Sequence, residues 1–255
     1  MCIRDRVLDN SKKSLIIIGN SAINYHDGKE VLNICAKIAK KYNVSNNNFN
    51  GFNILQQDIS KVGAIDIGFY NNSFEKNFDQ NIKNHIKNYK PVVFLLACDE
   101  INHSILEGAF VVYLGHHGDV SAQLADIVLP TPAYTEKYST YLNMEGRVLQ
   151  TTRCYHPLGV SKEEWKIFRA LSNNFSQKLK FNNLSELRNE ISNLFPVFKE
   201  INNLPSSSKL DFGSSTKIKN RVLEYNIKNF YMTDVISRAS ITMANCSREI
   251  LNKVA

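Results

Sequence analysis

Two adjacent histidines are the residues of this chain best suited to bind a metal or to transfer a proton. His116 and His117 lie in LGHHGD (residues 114–119), at the C-terminal end of a predicted strand, where α/β sheets commonly bind ligands. Adjacent side chains of an extended chain point to opposite sides, and no third ligand has a matching spacing, so one metal ion cannot easily take both imidazoles. We therefore expect ordinary hydrogen bonding in this loop.

A second predicted strand end carries the sequence CDE, residues 98–100. A nucleophilic cysteine requires a base and an electropositive surrounding, and the neighbouring sequence identifies neither of them for Cys98. We expect Cys98 to be a small buried residue.

The stretch ADIVLPTPAYTEKYSTYLNMEGRVLQ, residues 125–150, joins an apolar strand to a polar loop. Pro130 and Pro132 lack a backbone donor, so the strand should end where they begin, and a structured loop should follow at its tip. Glu136 and Glu145 are nine residues apart in irregular structure, so an acid/base pair cannot be assigned from their spacing. Arg147 is expected to brace the turn beside Glu145.

Phosphate-binding signatures are missing from the sequence. Neither GxGxxG nor GxxxxGK[ST] occurs. Gly19-Asn20-Ser21, after the first predicted strand, is a weak indication of an anion site at a helix N-terminus. The residues by themselves therefore predict loops at strand ends without an assembled active site.

The elements that must position these residues are strands and helices in alternation. Leu15–Gly19 is a predicted strand, and Asp27 with Glu30 predicts a capping box at the start of an amphipathic helix. Val92–Cys98 and Phe110–Leu114 are apolar throughout, which is typical of strands covered by helices on both faces. With a further strand at 127–129, this order predicts an α/β fold with a doubly wound, mostly parallel sheet and a helical C-terminal extension.

Other predicted elements lie on either side of this body. They are an Asn-rich turn at 43–50, a segment at 62–69 whose two glycines suggest close backbone approach, a surface helix from Phe74 to Tyr89, a capping box at 161–164 that opens a helix through Trp165 and Leu171, a helix at 184–194, a linker at 205–209 and a last helix at 241–251.

Composition excludes several classes of protein. The chain has 255 residues, a net charge of +7 and a pI of about 9.1, but its lysines are scattered, so we expect a solvated basic surface and no nucleic-acid binding. No apolar run approaches the roughly 20 residues of a membrane helix, so we expect no direct membrane insertion. Five distant cysteines without CxxC predict a reducing compartment and no cysteine-ligated cluster within the chain. We interpret residues 1–6 as a cloning or assembly scar.

Residues 125–150 resemble the signature of the molybdopterin oxidoreductase superfamily, in which a strand, a Glu, an Asn and an EGR turn recur together. Flanking motifs are similar to a narrower family, the largest peripheral-arm subunit of respiratory complex I (the G subunit of NADH-quinone oxidoreductase, 75 kDa in mitochondria), in its alphaproteobacterial and mitochondrial branch. These motifs are FNGFNILQQDISKVGAIDIGF, LLACDEI, VVYLGHHGDVSAQLADIVLP, EEWKIFRALS and IKNFYMTDVISRASITMAN.

The resemblance implies a non-catalytic C-terminal portion of that subunit, which supports electron transfer from NADH to quinone in a proton-translocating complex. Iron-sulfur clusters are then expected in an N-terminal part that precedes this chain, and the molybdenum cofactor is expected to be lost. Partners would be other peripheral-arm subunits, at the cytoplasmic face of the bacterial inner membrane or the matrix side in mitochondria.

The alternative hypothesis is a catalytic molybdopterin-dependent oxidoreductase. The residues that would face the cofactor are His116, His117, Glu136, Asn143 and Arg147. A freestanding nucleotide-binding module or RNA-binding protein is the third hypothesis.

Departures from the family pattern bear on the cofactor. They are Phe49 where Trp is usual, Ala97-Cys98 where Gly-Ala is common, and Ser121 and Ser139 where glycine is frequent. The two serines add a Cβ beside the signature, where a pterin would need close backbone approach.

We divide the chain into the N-terminal scar (1–6), a molybdopterin-oxidoreductase-like α/β domain (7–175), a helix with a Ser-rich linker (176–219) and a C-terminal tail (220–255). Apolar residues of the tail, such as Phe230 and Ile241, either dock on a partner surface or pack back on their own domain.

Overall fold

The structure is a computed structural model and describes residues 3–25, 27–46, 49–69, 78–205 and 229–251. The strands in these ranges are β1 (Ile16–Gly19), β2 (Ser45–Asn46), β3 (Phe49–Asn50), β4 (Phe52–Leu55), β5 (Val92–Leu96), β6 (Phe110–Gly115), β7 (Ile127–Pro130), β8 (Thr140–Leu142) and β9 (Val148–Gln150). The helices are α1 (Ile3–Asp9), α2 (Asn20–Ile23), α3 (Gly28–Lys41), α4 (Lys61–Asp66), α5 (Phe78–Tyr89), α6 (Val120–Leu124), α7 (Glu164–Leu171), α8 (Leu184–Leu194), α9 (Val235–Ala239) and α10 (Ile241–Leu251). Single 3-10 turns occur at His103–Leu106, Tyr134–Glu136, Ser172–Asn174 and Pro196–Lys199.

The chain forms two compact units, each built from three separate segments that alternate along the sequence. The first unit contains Met1–Tyr70, Thr140–Gln150 and Ile191–Asn226, and the second contains Asn71–Ser139, Thr151–Glu190 and Ile227–Ala255. The chain leaves the second unit after Ser139 and returns to it at Thr151. The Thr151 amide donates to the Ser139 carbonyl over 2.9 Å, and the Ser139 amide donates to Thr151 Oγ1 over 3.1 Å.

The first unit is built on the parallel pair β1 and β4, which aligns Ile16 with Phe52 and Gly19 with Leu55. Its buried core contains Ile18, Ala39, Val44 and Phe52. Helix α3 packs on this pair through its apolar face, as its spacing predicts. The predicted strand 15–19 and the helix after Asp27 are therefore confirmed.

The capping box predicted at Asp27 and Glu30 is wrong. Asp27 is the N-cap residue of α3 but makes no side-chain cap hydrogen bond, with φ −101° and ψ 15°. A capping side chain needs an extended N-cap backbone, whereas here a tight turn precedes the helix, in which the Gly28 amide donates to the Tyr25 carbonyl over 2.9 Å.

Two other parts of the first unit differ from expectation. The Asn-rich segment forms the antiparallel pair β2 and β3, in which Asn46 faces Phe49, and β4 follows at once because Gly51 allows close packing. A Cβ on Gly51 would lie 2.4 Å from the Val44 carbonyl oxygen. Segment 62–69 contains helix α4 instead of a close approach, and Gly68, with φ +72°, follows its C-terminal end.

The second unit is built on three parallel strands in the order β5-β6-β7. Register pairs Val92 with Phe110 and Val112 with Ile127. Residues 111–115 of β6 are all buried, whereas Val92 and Ile127 on the outer strands are exposed. Coverage on both faces is thus confirmed for β6, and the same expectation is wrong for β5, whose Val92 and Leu96 are exposed.

Helices lie on both faces of this sheet. Leu95, Val111 and Tyr113 pack with Ile86 of α5 and with the 3-10 turn at 103–106. Phe94 lies 5.5 Å from Phe168 of α7, measured between ring centroids, and successive strand residues point to opposite faces. An α/β fold with mostly parallel sheets is therefore confirmed.

Helix α7 begins at Glu164, so the capping box predicted at 161–164 is wrong. The Lys162 amide donates to the Pro130 carbonyl over 3.1 Å, which holds this segment extended, and Glu163 becomes the N-cap residue without a side-chain cap bond. The Glu163 carboxylate instead accepts from Lys166 Nζ at 2.8 Å and from Trp165 Nε1 at 3.2 Å.

The helices predicted at 184–194 and 241–251 are confirmed as α8 and α10. The surface helix is confirmed from residue 78, and its predicted start at Phe74 lies outside the described residues, as does most of the linker at 205–209. Across the described ranges, no helix has the length and apolarity that crossing a membrane requires.

Candidate functional site

The loops at the carboxyl ends of β5 and β6 lie at one edge of the sheet of the second unit, because the two strands are parallel neighbours. We call residues 97–100 and 116–119 the strand-end loops. The Tyr113 hydroxyl donates to Asp99 Oδ2 at 3.0 Å and lies 3.3 Å from the His117 carbonyl oxygen. Burial raises the pKa of Tyr113, and the hydrogen bond to Asp99 raises it further. Tyr113 thus ties the two loops together as a neutral donor.

Gly115 is the residue that makes room for this tyrosine. A Cβ at Gly115 would lie 2.2 Å from the Tyr113 hydroxyl oxygen and 2.4 Å from Cζ. Tyr113 is only 1% exposed, so its ring cannot move aside.

His116 and His117 are in contact, so the prediction that their side chains point apart is wrong. Their Nδ1 atoms are 2.6 Å apart and their rings are nearly perpendicular, at 88°. The strand ends at Gly115, and the chain bends there, which turns both rings to one side. The distance describes an N–H···N hydrogen bond, since two nitrogens on one zinc ion would be roughly 3.3 Å apart.

His116 lies in a polar surrounding. Burial lowers the pKa of His116, and the charges of His117 and Lys137 lower it further. Lys137 forms an ion pair with Glu164 at 2.6 Å. Among the described residues, no group of three or more His, Cys, Asp or Glu side chains could hold a metal ion.

Cys98 is exposed, so the prediction of a buried residue is wrong. Partial burial of the thiol raises its pKa, and the nearby Asp99 and Glu100 raise it further, so the thiolate is disfavoured. The preceding residue, Ala97, has φ +48°, a backbone conformation in which glycine is favoured.

Ser121 occupies a position where glycine is frequent in the resembled family. It is fully buried, and its hydroxyl group has two hydrogen-bond partners. Its hydroxyl donates to the Cys98 carbonyl oxygen at 2.7 Å, and His103 Nε2 lies 2.8 Å from the same hydroxyl oxygen. Because the hydroxyl proton points at the carbonyl, His103 must be the donor to Ser121. Sequence reasoning missed His103, and its spacing from Ser121 carries no signal.

The residue of the tail that reaches the strand-end loops is Arg238. Its Nε donates to Asp119 Oδ2 at 2.5 Å, and its Nη1 to Glu100 Oε1 at 3.4 Å. Burial acts to raise the pKa of Asp119, but hydrogen bonds from Arg238 and from the Val120 amide outweigh it and lower the pKa. Residues 229–251 therefore make a polar contact with their own unit, whereas the apolar Phe230 and Ile241, which the two alternatives concern, are 69% and 79% exposed. Whether these apolar residues dock on a partner stays a prediction. No pattern in the sequence signals the pair of Arg238 and Asp119.

The loop between β8 and β9, residues 143–147, is the other polar cluster and belongs to the first unit; we call it the hairpin loop. Asn143 Oδ1 accepts from the Glu145 and Arg147 amides, both at 3.0 Å, and Asn143 Nδ2 donates to Glu145 Oε2 at 3.2 Å. Arg147 Nε lies 3.4 Å from Glu145 Oε2, and Arg147 Nη1 donates to the Asn202 carbonyl. Gly146 supplies a φ of +80°. These contacts brace the turn.

Glu136 makes a local contact in the second unit, where its Oε2 accepts from the Ala133 amide at 3.1 Å. The structure brings His116 to His117 and Asn143 to Arg147. The first pair and Glu136 belong to the second unit, and the second pair belongs to the first unit.

Comparison with known proteins relates the chain to two families. The model of the family Molybdopterin oxidoreductase matches residues 6–174. The model of the C-terminal region of the NADH-ubiquinone oxidoreductase G subunit matches residues 201–246.

Relatives match almost the whole chain. The NADH-quinone oxidoreductase G subunit of Rickettsia bellii (strain RML369-C) is 36% identical over 239 residues, which cover 94% of this chain and 34% of that protein. The mitochondrial NADH-ubiquinone oxidoreductase 78 kDa subunit of Candida albicans (strain SC5314 / ATCC MYA-2876) is 38% identical over 251 residues, 94% of this chain and 33% of that protein. The NADH-ubiquinone oxidoreductase 75 kDa subunit of Reclinomonas americana is 37% identical over 254 residues, 94% of this chain and 35% of that protein. The chain thus spans about a third of the length of these relatives.

Proposed function

The chain belongs to the molybdopterin oxidoreductase family, and from this premise we propose that it is a structural, non-catalytic portion of the G subunit of an NADH-quinone oxidoreductase. The observation that carries the proposal is the succession of two family matches, at 6–174 and at 201–246, along one chain. The second match is specific to the G subunit, and relatives with that name align along 94% of the chain.

The residues of the candidate site support the loss of molybdopterin, because they do not fit that cofactor. In the second unit the Nδ1 atoms of His116 and His117 face each other, and Ser121 fills buried space beside the strand-end loops. In the first unit the polar atoms of Asn143 and Arg147 bond within the hairpin loop or to Asn202. A pterin would have to displace these internal hydrogen bonds, which cost free energy to leave unmade.

The proposal extends to the assembly. The chain would belong to a peripheral subunit of the complex, on the cytoplasmic face of a bacterial inner membrane or on the matrix side in a mitochondrion, with other peripheral-arm subunits as partners. NADH oxidation, iron-sulfur clusters and quinone reduction would lie outside these residues. The proposed domains are the α/β domain at 7–175, the linker region at 176–219 and the tail at 220–255.

The alternative function is a catalytic molybdopterin-dependent oxidoreductase, and the family match at 6–174 is the observation that favours it. One experiment separates the two functions. The full-length protein is purified within its complex, and molybdenum is measured by mass spectrometry alongside NADH:quinone activity. We expect an active complex with molybdenum at background. Molybdenum near one atom per complex, with activity lost after growth without molybdate, would support the alternative.

A second experiment tests the assignment to the complex. A strain lacking the G subunit receives the full-length gene or the gene without residues 7–175, and the membranes are analysed on native gels. We expect the complex only with the full-length gene. A complete, active complex without these residues would contradict a structural role.

A further inference from the structure

The segment 229–251 is ordered by its own hydrogen bonds. Asp234 caps α9, accepting from the Ile236 amide at 2.9 Å and from the Ser237 amide at 3.0 Å. Asn229 Nδ2 donates to Ser247 Oγ at 2.7 Å, which joins the start of the segment to α10. Arg238, one turn after the cap, therefore extends from a fixed helix.

The partners of Arg238 are carboxylates that follow two neighbouring parallel strands. Glu100 lies in the loop after β5, and Asp119 lies in the loop after β6. The side chains of Arg238 and Asp119 are only 26% and 18% exposed, whereas Glu100 is 62% exposed. Asp119 is thus the main partner, because shielding from water strengthens an ion pair.

The contact of Arg238 lies at the carboxyl ends of β5 and β6. In an open α/β sheet, ligands enter at the carboxyl ends of the strands, and in this unit that edge also carries Asp99, which accepts from Tyr113. Three carboxylates within the strand-end loops repel one another when no cation is near. Arg238 supplies a cation from within the same chain.

We propose that the segment 229–251 is an intramolecular strap, whose guanidinium group bonds the loops after β5 and β6 to each other and so restricts their motion. This inference concerns the second unit alone and does not depend on the proposed function.

The test uses hydrogen-deuterium exchange on the full-length protein. Arg238→Met keeps the aliphatic stem and removes the guanidinium. We expect amide exchange at 97–100 and 116–124 to accelerate about three- to tenfold, as for loss of a partly shielded ion pair. The matched control is Arg248→Met, because Arg248 bonds to Asn245 within α10, and we expect no change in the two loops.

A second variant links the effect to Asp119. Asp119→Asn removes the charge but keeps an oxygen that can accept from the Val120 amide, since Asn is a good N-cap residue. We expect the same acceleration, and no further acceleration when it is combined with Arg238→Met. Unchanged exchange in Arg238→Met, or additive effects in the double variant, would overturn the strap.

If Arg238→Met does not fold, Arg238→Lys replaces it. Lysine keeps the charge but lacks the planar fork that reaches two carboxylates. We expect a smaller acceleration in the same loops, and wild-type exchange in this variant overturns the proposal.

Discussion

The hairpin loop of the first unit and the strand-end loops of the second are both rich in polar side chains, but they are held in different ways. Asn143 bonds to amides two and four positions away, whereas Arg238 bonds to Asp119 across 119 positions. Most hydrogen bonds of the hairpin loop join residues within its own five positions, and the bond from Arg147 to the Asn202 carbonyl is the exception among those described. The strand-end loops depend on residues that the fold must first bring together.

The largest expected effect comes from Gly115, the last residue of β6, which precedes the second strand-end loop. Gly115→Ala places a Cβ 2.2 Å from the hydroxyl of the buried Tyr113, so we expect the free energy of unfolding to fall by about 2–3 kcal/mol, as for overpacking of a core. Urea denaturation of the purified protein measures it. Gly118→Ala is the control, because a Cβ there meets nothing within 4 Å, and equal losses in both variants would contradict this explanation.

The hairpin loop should respond locally. Asn143→Ala leaves the Glu145 and Arg147 amides without their acceptor, and we expect a loss of about 1–2 kcal/mol. Amide exchange should accelerate within 140–150 and remain unchanged in the strand-end loops. Asn203→Ala, at an exposed site, should have little effect. Accelerated exchange at 116–119 in Asn143→Ala would abolish the contrast between the two regions.

A stabilising change is expected at the end of β5. Ala97 has φ +48°, so Ala97→Gly relieves backbone strain and should raise the free energy of unfolding by about 1 kcal/mol, less the entropy that glycine loses on folding. Ala122→Gly, inside α6, should lower it by about the same amount. The thermal midpoints of the two variants measure the difference, and a loss of stability in both would exclude strain at Ala97.

The smallest effect is a dependence of stability on pH. Burial lowers the pKa of His116 in the folded state, and His117 and Lys137 lower it further. Below about pH 6.5, the ordinary histidine pKa, the unfolded chain then binds more protons than the folded chain. Stability should therefore fall as the pH decreases from 6.5 through the lowered pKa.

Denaturation curves between pH 7.5 and pH 5 measure this slope. The slope should be reduced in His116→Gln and retained in His85→Gln, whose histidine lies on α5. An unchanged slope in His116→Gln would assign the effect to other groups.

Much of the fold follows from the sequence because it is encoded locally. Apolar runs and prolines place β5, β6 and β7 to within two residues, and helical spacing places α8 and α10. Both capping boxes fail because a capping pattern acts only where the backbone enters the helix extended and unpaired. At Asp27, the turn before the helix prevents the capping bond. At Ser161, the chain is held by the hydrogen bond from the Lys162 amide to the Pro130 carbonyl, and the helix begins later.

The candidate site also contains features that are encoded locally and features that depend on distant residues. The bracing role of Arg147 can be read from its nearness to Glu145. The contact between His116 and His117 depends on a bend after Gly115, and Arg238 depends on the fold of a distant segment, so residue types and spacing could predict neither. The loss of the molybdenum cofactor at these residues stays a prediction that rests on the family resemblance.

The hydrogen-bonded backbones of Ser139 and Thr151 have a consequence for protein engineering. Because these two residues are already paired, residues 140–150 form a cassette whose two ends meet. A two-residue type I′ turn such as Asn-Gly can close a pair of this kind. The hairpin can therefore be excised, or exchanged for that of a relative, while the second unit keeps a continuous chain.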